Sequence, residues 1–110
     1  MSHESMHEPF SELSSKTKNM HRAITSLIEE LEAVDWYNQR ADICEDQELK
    51  AILIHNRDEE KEHAAMILEW IRRNDSKFDD ELRDYLFTKK NIAELEKEDS
   101  GRGCPVYLSS

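Results

Sequence analysis

The sequence predicts an all-α fold: an antiparallel hairpin of two long helices followed by a short C-terminal helix. Only two glycines and two prolines occur among the 110 residues, so few positions break a helix. Glutamate, lysine, leucine, alanine and isoleucine are abundant, as in chains built from long helices. Apolar residues also recur at helical spacing in two separate stretches. Together these observations favour helices over a sheet.

The first long helix is predicted from Phe10 to about Gln39, a stretch without glycine or proline. Its apolar residues recur in steps of four and three: Met20, Ile24, Leu27, Leu31 and Val34. This is a heptad-like stripe along one face of a helix. The segment ADICEDQE at residues 41–48 does not continue the stripe and is interpreted as the connection between the helices.

The second helix is expected to begin after Asp46, whose carboxylate can cap it, and to run to about Arg73. Its apolar face consists of Leu49, Ile52, Leu53, Met66, Ile67, Trp70 and Ile71. The polar residues 74–76 then provide a stop and a fresh cap. A shorter third helix is therefore predicted from Lys77 to about Leu86.

The two ends of the chain differ in composition from its middle. Residues 1–9 are polar and close on a proline, which indicates a flexible N-terminal arm. Residues 10–89 form the predicted helical domain. Residues 90–110 are expected to be a flexible C-terminal tail, because the stretch SGRGCPVYLSS holds both glycines and the second proline. Cys44 and Cys104 lie far apart without metal-binding spacing and are expected to be free thiols.

The charge balance argues against two classes of partner. A formal net charge of -10 disfavours binding to nucleic acid or to an anionic membrane surface. The N-terminus lacks the apolar core of a signal peptide, and no window approaches the roughly 20 apolar residues of a membrane span. The chain is therefore expected to be soluble and cytoplasmic. Its hydrophobic and charged fractions are nearly equal, 37% and 36%, so we expect oligomerisation to complete a small core.

The stretch RDEEKEHAAM, residues 57–66, raises the question of whether a charge run on the second helix also contains metal ligands. At about 100° per residue, His63 falls at the centre of the apolar face, and Glu60 falls inside that face. Glu59 also lies in this arc by angle alone, so its part in a site stays open. The residues assigned to the solvated face are Arg57, Asp58 and Lys61.

On the first helix, Glu30 falls at the edge of the apolar stripe, beside Ala23 and Tyr37. Glu29 and Glu32 lie well away from that stripe, as residues of a solvated face do. A buried ionised carboxylate is costly unless a cation pairs with it. No lysine or arginine shares the inward arc of either helix, so each helix directs a carboxylate inward without a basic partner.

Inward glutamates and a histidine suit iron(II), and glutamates can bridge two ions. Ferritin-like di-iron proteins use one glutamate from each of two helices and a Glu-x-x-His pair from each of two others. This chain supplies one of each set, which is half a di-iron site, so the other half is expected from a second copy. The alternative is a metal-free hairpin serving as an assembly or adaptor module, with Glu30 and Glu60 protonated or paired with a base.

The stretches HRAITSLIEELEAVDWYNQR and AILIHNRDEEKEHAAMILEWIRRND, followed by RDYLFT, resemble the encapsulated ferritins over about residues 8–90. These are two-helix ferritin-like proteins carried as cargo inside encapsulin nanocompartments. The resemblance implies that the hairpin pairs with a second subunit to complete an antiparallel four-helix bundle. It also implies that such homodimers assemble into a ring-shaped homodecamer.

The resemblance carries over to individual residues of the two helices. Those that match the ferroxidase ligands, contributed by both subunits of a dimer, are Glu30, Glu60 and His63. Glu59 is left out of this set. Those that match acidic residues binding calcium or another divalent cation on the approach to the site are Glu29 and Glu32. Trp36 and Tyr37 match aromatic residues next to the ligands.

The resemblance implies a ferroxidase, which oxidises iron(II) to iron(III) with dioxygen and supports iron storage within an encapsulin shell. A di-iron oxygen carrier or peroxidase would share the same ligands and differ in product. Encapsulin cargo usually ends in a targeting peptide built around Gly-Ser-Leu or a similar apolar core. The end of this chain, PVYLSS, matches that pattern only as a short apolar patch.

Overall fold

The computed structural model describes residues 5–96 and confirms the all-α prediction. A short 3-10 helix at Phe10–Glu12 is followed by the α-helices α1 at Ser15–Ile43, α2 at Gln47–Asn74 and α3 at Ser76–Tyr85. A turn of three residues connects α1 to α2, and the two helices pack along each other as the predicted antiparallel hairpin. Within residues 5–96 there is no strand, and no helix combines the length and apolar character needed to cross a membrane.

The start of α1 is capped by Ser14, whose side-chain oxygen accepts a hydrogen bond from the Thr17 backbone nitrogen at 3.2 Å. Its end lies further along the chain than the sequence predicted, at Ile43 rather than near Gln39. Ala41, which was assigned to the connection, is instead a core residue at 3% exposure. Because its side chain is a single methyl group, α2 can approach closely beside the turn, and this packing extends the helix.

Phe10 fastens the 3-10 helix to the first turns of α1. Lys18 Nζ lies 5.3 Å from the centroid of the Phe10 ring, and the guanidinium carbon of Arg22 lies 5.5 Å from it. The His21 ring meets the same ring edge-on, with centroids 6.2 Å apart. Cations are attracted to the face of an aromatic ring, so these contacts hold the residues before α1 against the hairpin.

The second helix begins at the predicted cap. The Oδ1 of Asp46 accepts a hydrogen bond from the Leu49 backbone nitrogen at 2.8 Å. The helix then continues for 28 residues without a glycine or proline. At its end, the side-chain nitrogen of Asn74 donates to the carbonyl oxygen of Trp70 at 2.8 Å. This bond satisfies one of the carbonyl groups that a helix leaves unpaired at its C-terminus.

A second compact unit begins at Asp75. Asp75 caps α3 as predicted, because its Oδ1 accepts a hydrogen bond from the Phe78 backbone nitrogen at 2.9 Å. The helix ends where the Leu86 backbone nitrogen donates to the Leu82 carbonyl at 2.9 Å. Phe87 follows with φ of 61°. This left-handed conformation costs of order 1 kcal/mol for a residue other than glycine.

The predicted flexible ends fall largely outside the described residues. The arm was predicted over residues 1–9 and the tail over residues 90–110; the structure describes residues 5–9 of the arm and residues 90–96 of the tail. Within that range, residues 92–96 are helical, and the side-chain oxygen of Asn91 accepts a hydrogen bond from the Ala93 backbone nitrogen at 3.1 Å. Among the described residues, Cys44 forms no disulfide; Cys104 lies outside them, so the expectation that both are free thiols stays a prediction.

The core of the hairpin is small, since two helices can cover only one face of each other. The buried apolar residues of the described chain are Ala41, Ala64 and Ile71. Large apolar side chains that stay exposed on the hairpin include Ile24, Leu31, Ile52, Met66 and Trp70. Exposed apolar surface of this extent is typical of a protein that associates with a partner.

Candidate metal centre

Three side chains that can ligate a metal meet near the middle of the hairpin. Glu30 belongs to α1, and Glu60 and His63 stand one turn apart on α2. Their spacing of three residues puts Glu60 and His63 on neighbouring positions of one helix side. The antiparallel packing brings Glu30 opposite them. As a result, one ligating atom from each residue lies within 4.8 Å of the other two.

The imidazole of His63 approaches both carboxylates through the same nitrogen. Its Nδ1 lies 3.6 Å from Glu30 Oε2 and 3.8 Å from Glu60 Oε2. Both distances exceed the length of an ordinary hydrogen bond, so His63 is bonded directly to neither glutamate. The three groups face one another at a separation that a bound cation can bridge.

Of the three residues, Glu30 has a buried carboxylate oxygen that lacks a hydrogen-bond partner among the described residues. Its side chain is 25% exposed, yet its Oε2 is buried and has no hydrogen-bond partner within the described part of the chain. The pKa of Glu30 is raised above its ordinary 4.5, first because the adjacent Glu60 carboxyl group can share a proton with it, then by burial and by the charge of Glu60, while His63 opposes the rise. Without a cation, the site therefore favours a proton in place of one negative charge.

The donor set fits a divalent metal such as iron(II). Two carboxylates and an imidazole provide the oxygen and nitrogen ligands that iron accepts. A cation would also pair with the buried oxygen of Glu30 and cancel its repulsion with Glu60. A lysine or arginine beside Glu30 would lower its pKa. Among the described residues none acts on it, so no basic side chain takes the place of a metal there.

The site opens on the uncovered side of the hairpin. His63 was expected at the centre of the apolar face, but its side chain is 46% exposed, whereas its neighbour Ala64 is buried. The packed side of α2 passes through Ala64 and Ile71, about 100° away from His63 around the helix. By the same angle, His63 shares its side with Ile52 and Trp70, which stay exposed. The apolar face of α2 is thus wider than one helix partner can cover.

The structure separates Glu59 from this group. Its Oε1 lies 3.4 Å from Nε2 of His55, one turn earlier on α2, and it does not join the three clustered residues. Glu29 is exposed and Glu32 is half-buried, and both also lie outside the cluster. Their predicted contact with cations on the approach to the site stays a prediction.

The two aromatic residues expected beside the ligands have different surroundings. Trp36 is 52% exposed on α1. Tyr37 is half-buried, and the Arg40 guanidinium carbon lies 5.5 Å from the centroid of its ring. Their predicted place next to the iron ligands stays a prediction.

Arg57 was assigned to the solvated face, and this was wrong. Its side chain is only 22% exposed, and its Nη1 donates a hydrogen bond to Asn38 Oδ1 of α1 at 3.1 Å. Its Nε donates to Asp58 Oδ1 at 3.0 Å. The signal in the sequence was Asn38, which follows Val34 by four residues and so presents a polar group beside the apolar stripe.

The sequence of the whole hairpin is similar to those of known proteins. A family model described as EncFtn-like matches residues 5–89. The Encapsulated ferritin-like protein of Rhodospirillum rubrum is 62% identical over 96 residues, which are 87% of this chain and 69% of that protein. The Ferritin-like protein of Thermotoga maritima is 57% identical over 95 residues, which are 86% of this chain and 83% of that protein.

A solved structure shows the same fold. The crystal structure of protein ne0167 from Nitrosomonas europaea superposes with a TM-score of 0.79 at 70% sequence identity. The superposition covers 82% of this chain and 99% of that one. At this identity, the likeness reflects shared ancestry as well as a shared arrangement of helices.

Proposed function

Because this chain belongs to the EncFtn-like family of ferritin-like proteins, we propose that it is a ferroxidase, which oxidises iron(II) to iron(III) with dioxygen. The observation that carries the proposal is the convergence of Glu30, Glu60 and His63 within 4.8 Å. The buried, unbonded Oε2 of Glu30 supports a cationic ligand at the same place.

Each of the three residues has a distinct part in holding the substrate. The carboxylates of Glu30 and Glu60 neutralise iron(II) and can bridge two ions. His63 adds a neutral nitrogen ligand through Nδ1, the atom that faces both carboxylates. The iron supplies the redox chemistry, since each iron(II) gives one electron to dioxygen on becoming iron(III). The protein binds and orients the ions.

The complete di-iron centre forms between two subunits. One chain provides two carboxylates and one imidazole, which is half of the ligand set of ferritin-like di-iron proteins. The exposed position of His63, beside uncovered apolar residues, supports a partner hairpin on this side. We therefore assign a homodimer that forms a four-helix bundle. The ring-shaped homodecamer built from such dimers is what the resemblance to the encapsulated ferritins adds to this proposal.

Storage of the oxidised iron requires a further partner. Two long helices per chain do not enclose a mineral, so we assign an encapsulin shell protein as the partner and the interior of its nanocompartment as the location. The relative from Rhodospirillum rubrum, which is named as encapsulated, supports this assignment. The stretch PVYLSS, which would have to serve as the targeting peptide, lies outside the described residues.

Substitution of single ligands tests the site. In Glu60→Ala and His63→Ala, we expect rapid iron(II) oxidation to be lost while helical content, followed by far-ultraviolet circular dichroism, is retained. Glu59→Ala is the matched control, because Glu59 stands next to Glu60 but pairs with His55 instead. Its oxidation rate should equal that of the wild type. A wild-type rate in either ligand variant would refute the site.

Anaerobic titration with iron(II) separates the ferroxidase from the metal-free adaptor. The ferroxidase predicts saturable binding near one iron per chain, lost in His63→Ala. The adaptor predicts no saturable binding, because Glu30 and Glu60 then satisfy each other by sharing a proton. The absence of binding in the wild type would overturn the proposed function.

A further inference from the structure

Arg57 connects the two helices of the hairpin by a polar contact close to the proposed iron site. Its Nη1 donates to Asn38 Oδ1 across the helix pair at 3.1 Å, while its Nε donates to Asp58 Oδ1 at 3.0 Å. Asp58 in turn lies 3.5 Å from Lys61 Nζ on the next turn of α2. The guanidinium is therefore held on both sides, and four-fifths of the Arg57 side chain is covered.

The contact lies between the metal ligands and the turn that joins the helices. Asn38 follows Glu30 by eight residues, which is about 12 Å along α1, and Arg57 precedes Glu60 by three residues, about 4.5 Å along α2. Asn38 and Arg57 thus lie at different distances from the ligands along the helix axes, and the long arginine side chain spans this offset. The bond therefore ties α1 to α2 about two helical turns from Glu30 on α1 and about one turn from Glu60 on α2.

The apolar packing between the helices around this level is only half-buried. Of the fully buried apolar residues, Ala41 lies one turn beyond Asn38, and Ala64 and Ile71 lie on the far side of the ligands along α2. In addition, Glu30 and Glu60 carry like charges on facing helices and repel each other when both are ionised. A hydrogen bond beside the site, donated by a charged guanidinium, offsets this repulsion before any ion arrives.

We propose that Arg57 is a positioning residue for the iron site, which it prepares through its hydrogen bond to Asn38. The bond holds α1 and α2 at the separation that places Glu30 opposite Glu60 and His63, so that less binding energy is lost in ordering the ligands. This inference rests on the proposed function. Arg57 itself hydrogen-bonds to Asn38 and Asp58 and to none of the three ligands.

A double-mutant cycle on cobalt(II) binding tests the proposal. Cobalt(II) takes the same ligands as iron(II), is coloured, and gives a dissociation constant without turnover. In the full-length protein, we expect Arg57→Gln and Asn38→Ala each to weaken cobalt(II) binding, on the order of five- to tenfold, because the ligands are no longer held together. The double variant should bind no more weakly than the weaker single variant, since both changes remove one bond. Additive losses, or no loss, would overturn the proposal.

Two further variants distinguish positioning from a general loss of stability or charge. Asn38→Asp keeps the accepting oxygen and should restore cobalt(II) affinity to within about twofold of the wild type. Arg73→Gln removes an exposed arginine from the same helix, where its Nε pairs with Glu69 at 2.7 Å, and should leave affinity unchanged. If Asn38→Asp binds as weakly as Asn38→Ala, or if Arg73→Gln weakens binding as much as Arg57→Gln does, the positioning role is refuted.

The same experiment separates this inference from the proposed function. If His63→Ala abolishes cobalt(II) binding while Asn38→Ala and Arg57→Gln bind like the wild type, the iron site stands and only the positioning role fails. If His63→Ala leaves cobalt(II) binding unchanged, the site itself is wrong. The absorption bands of the saturated cobalt(II) complex give a second readout. Distorted ligand geometry should shift these bands in Asn38→Ala and leave them in place in Asn38→Asp, which retains the accepting oxygen.

Discussion

At the scale of single residues, the candidate site is built on an unfavourable contact that a cation can reverse. Glu30 and Glu60 approach each other from facing helices, and the first cause of the raised pKa of Glu30 is the adjacent Glu60 carboxyl group, which can share a proton with it. A buried carboxylate oxygen without a partner would cost stability in a protein with no further use for it. A divalent ion would pair with both carboxylates and relieve their repulsion. The unfavourable contact between Glu30 and Glu60 therefore favours metal binding.

The approach to the site gives a prediction for Glu29 and Glu32. They belong to the same acidic run as Glu30 but lie outside the cluster, Glu29 exposed and Glu32 half-buried, and carboxylates there can attract cations without holding them. In Glu29→Gln/Glu32→Gln, we expect the apparent KM for iron(II) to rise, roughly threefold at low salt, with kcat unchanged. Steady-state oxidation rates over a range of iron(II) and salt concentrations measure both constants.

Glu48→Gln/Glu45→Gln provides a control with the same change in net charge near the turn, and its KM should match that of the wild type. A loss of kcat in the Glu29 and Glu32 variant would show that these residues belong to the site itself. An unchanged KM at low salt would remove their role in attracting iron.

At the scale of elements, α2 carries two of the three candidate metal ligands and also the ion pairs that stabilise its C-terminal end. Its middle presents Glu60 and His63 on one side, and its last turns contain an acidic residue held by two arginines. Glu69 accepts hydrogen bonds from Arg72 at 2.8 Å and from Arg73 at 2.7 Å. Basic side chains in the last turn also favour the negative end of the helix dipole. The pKa of Glu69 is lowered to about 2, first by the Arg72 hydrogen bond and then by that of Arg73.

The Glu69 contacts predict an acid dependence for the end of α2. The folded-state pKa lies below the ordinary 4.5, so the contribution of Glu69 to stability is complete above pH 4.5 and is lost as the pH falls through about 2. Comparison of Glu69→Gln with the wild type should show a constant difference in Tm from about pH 7 to about pH 5. That difference should then shrink as the pH falls from 4.5 to about 2. Circular dichroism melts measure it, and a difference that is independent of pH would contradict the role of the charged carboxylate.

At the scale of the whole molecule, the hairpin exposes surface that a single chain leaves uncovered. Ile52, Met66 and Trp70 remain exposed on α2, the helix that carries His63. A groove of about 600 Å³ between α1 and α2 is lined by Ala23, Met66 and Trp70 among other residues. Ridges of exposed side chains next to grooves are the shapes through which helices pack on one another. The metal site and this apolar surface belong to the same unit of the chain.

Metal and assembly should therefore depend on each other. Carboxylates from two chains repel until cations lie between them, so metal binding should favour the larger oligomer. We expect size-exclusion chromatography to show larger species with anaerobic iron(II) and smaller species with a chelator. Glu30→Ala should give the same profile in both conditions, and Glu59→Ala should respond like the wild type. Identical wild-type profiles with metal and with chelator would contradict the coupling.

Much of the fold follows from local features of the sequence. The scarcity of glycine and proline and the spacing of apolar residues predict two long helices, and Asp46 and Asp75 mark the starts of α2 and α3 through their capping side chains. The C-terminal end of α1 does not follow from such features, because Ala41 remains helical through its burial against α2. The spacing of apolar residues along one helix does not predict which of its residues contact another helix.

The sequence by itself determined which side chains belong to the candidate site. Helical spacing pairs Glu60 with His63. Around the axis of the first helix, Glu30 lies at the edge of the apolar stripe, whereas Glu29 and Glu32 lie well away from it. Periodicity fixes the relative direction of residues on one helix, which turns these three inward but leaves Glu59 open, because an angle alone cannot tell whether a carboxylate has another partner. The resemblance to the encapsulated ferritins is what left Glu59 out.

Only the tertiary structure decided where the site lies and what holds it. It pairs Glu59 with His55, places His63 on the uncovered side of the hairpin, and joins Arg57 to Asn38 across nineteen positions of sequence. Each of these depends on how α2 is rotated against α1. That rotation is set by the packing of the buried residues Ala41, Ala64 and Ile71, which no single helix pattern contains.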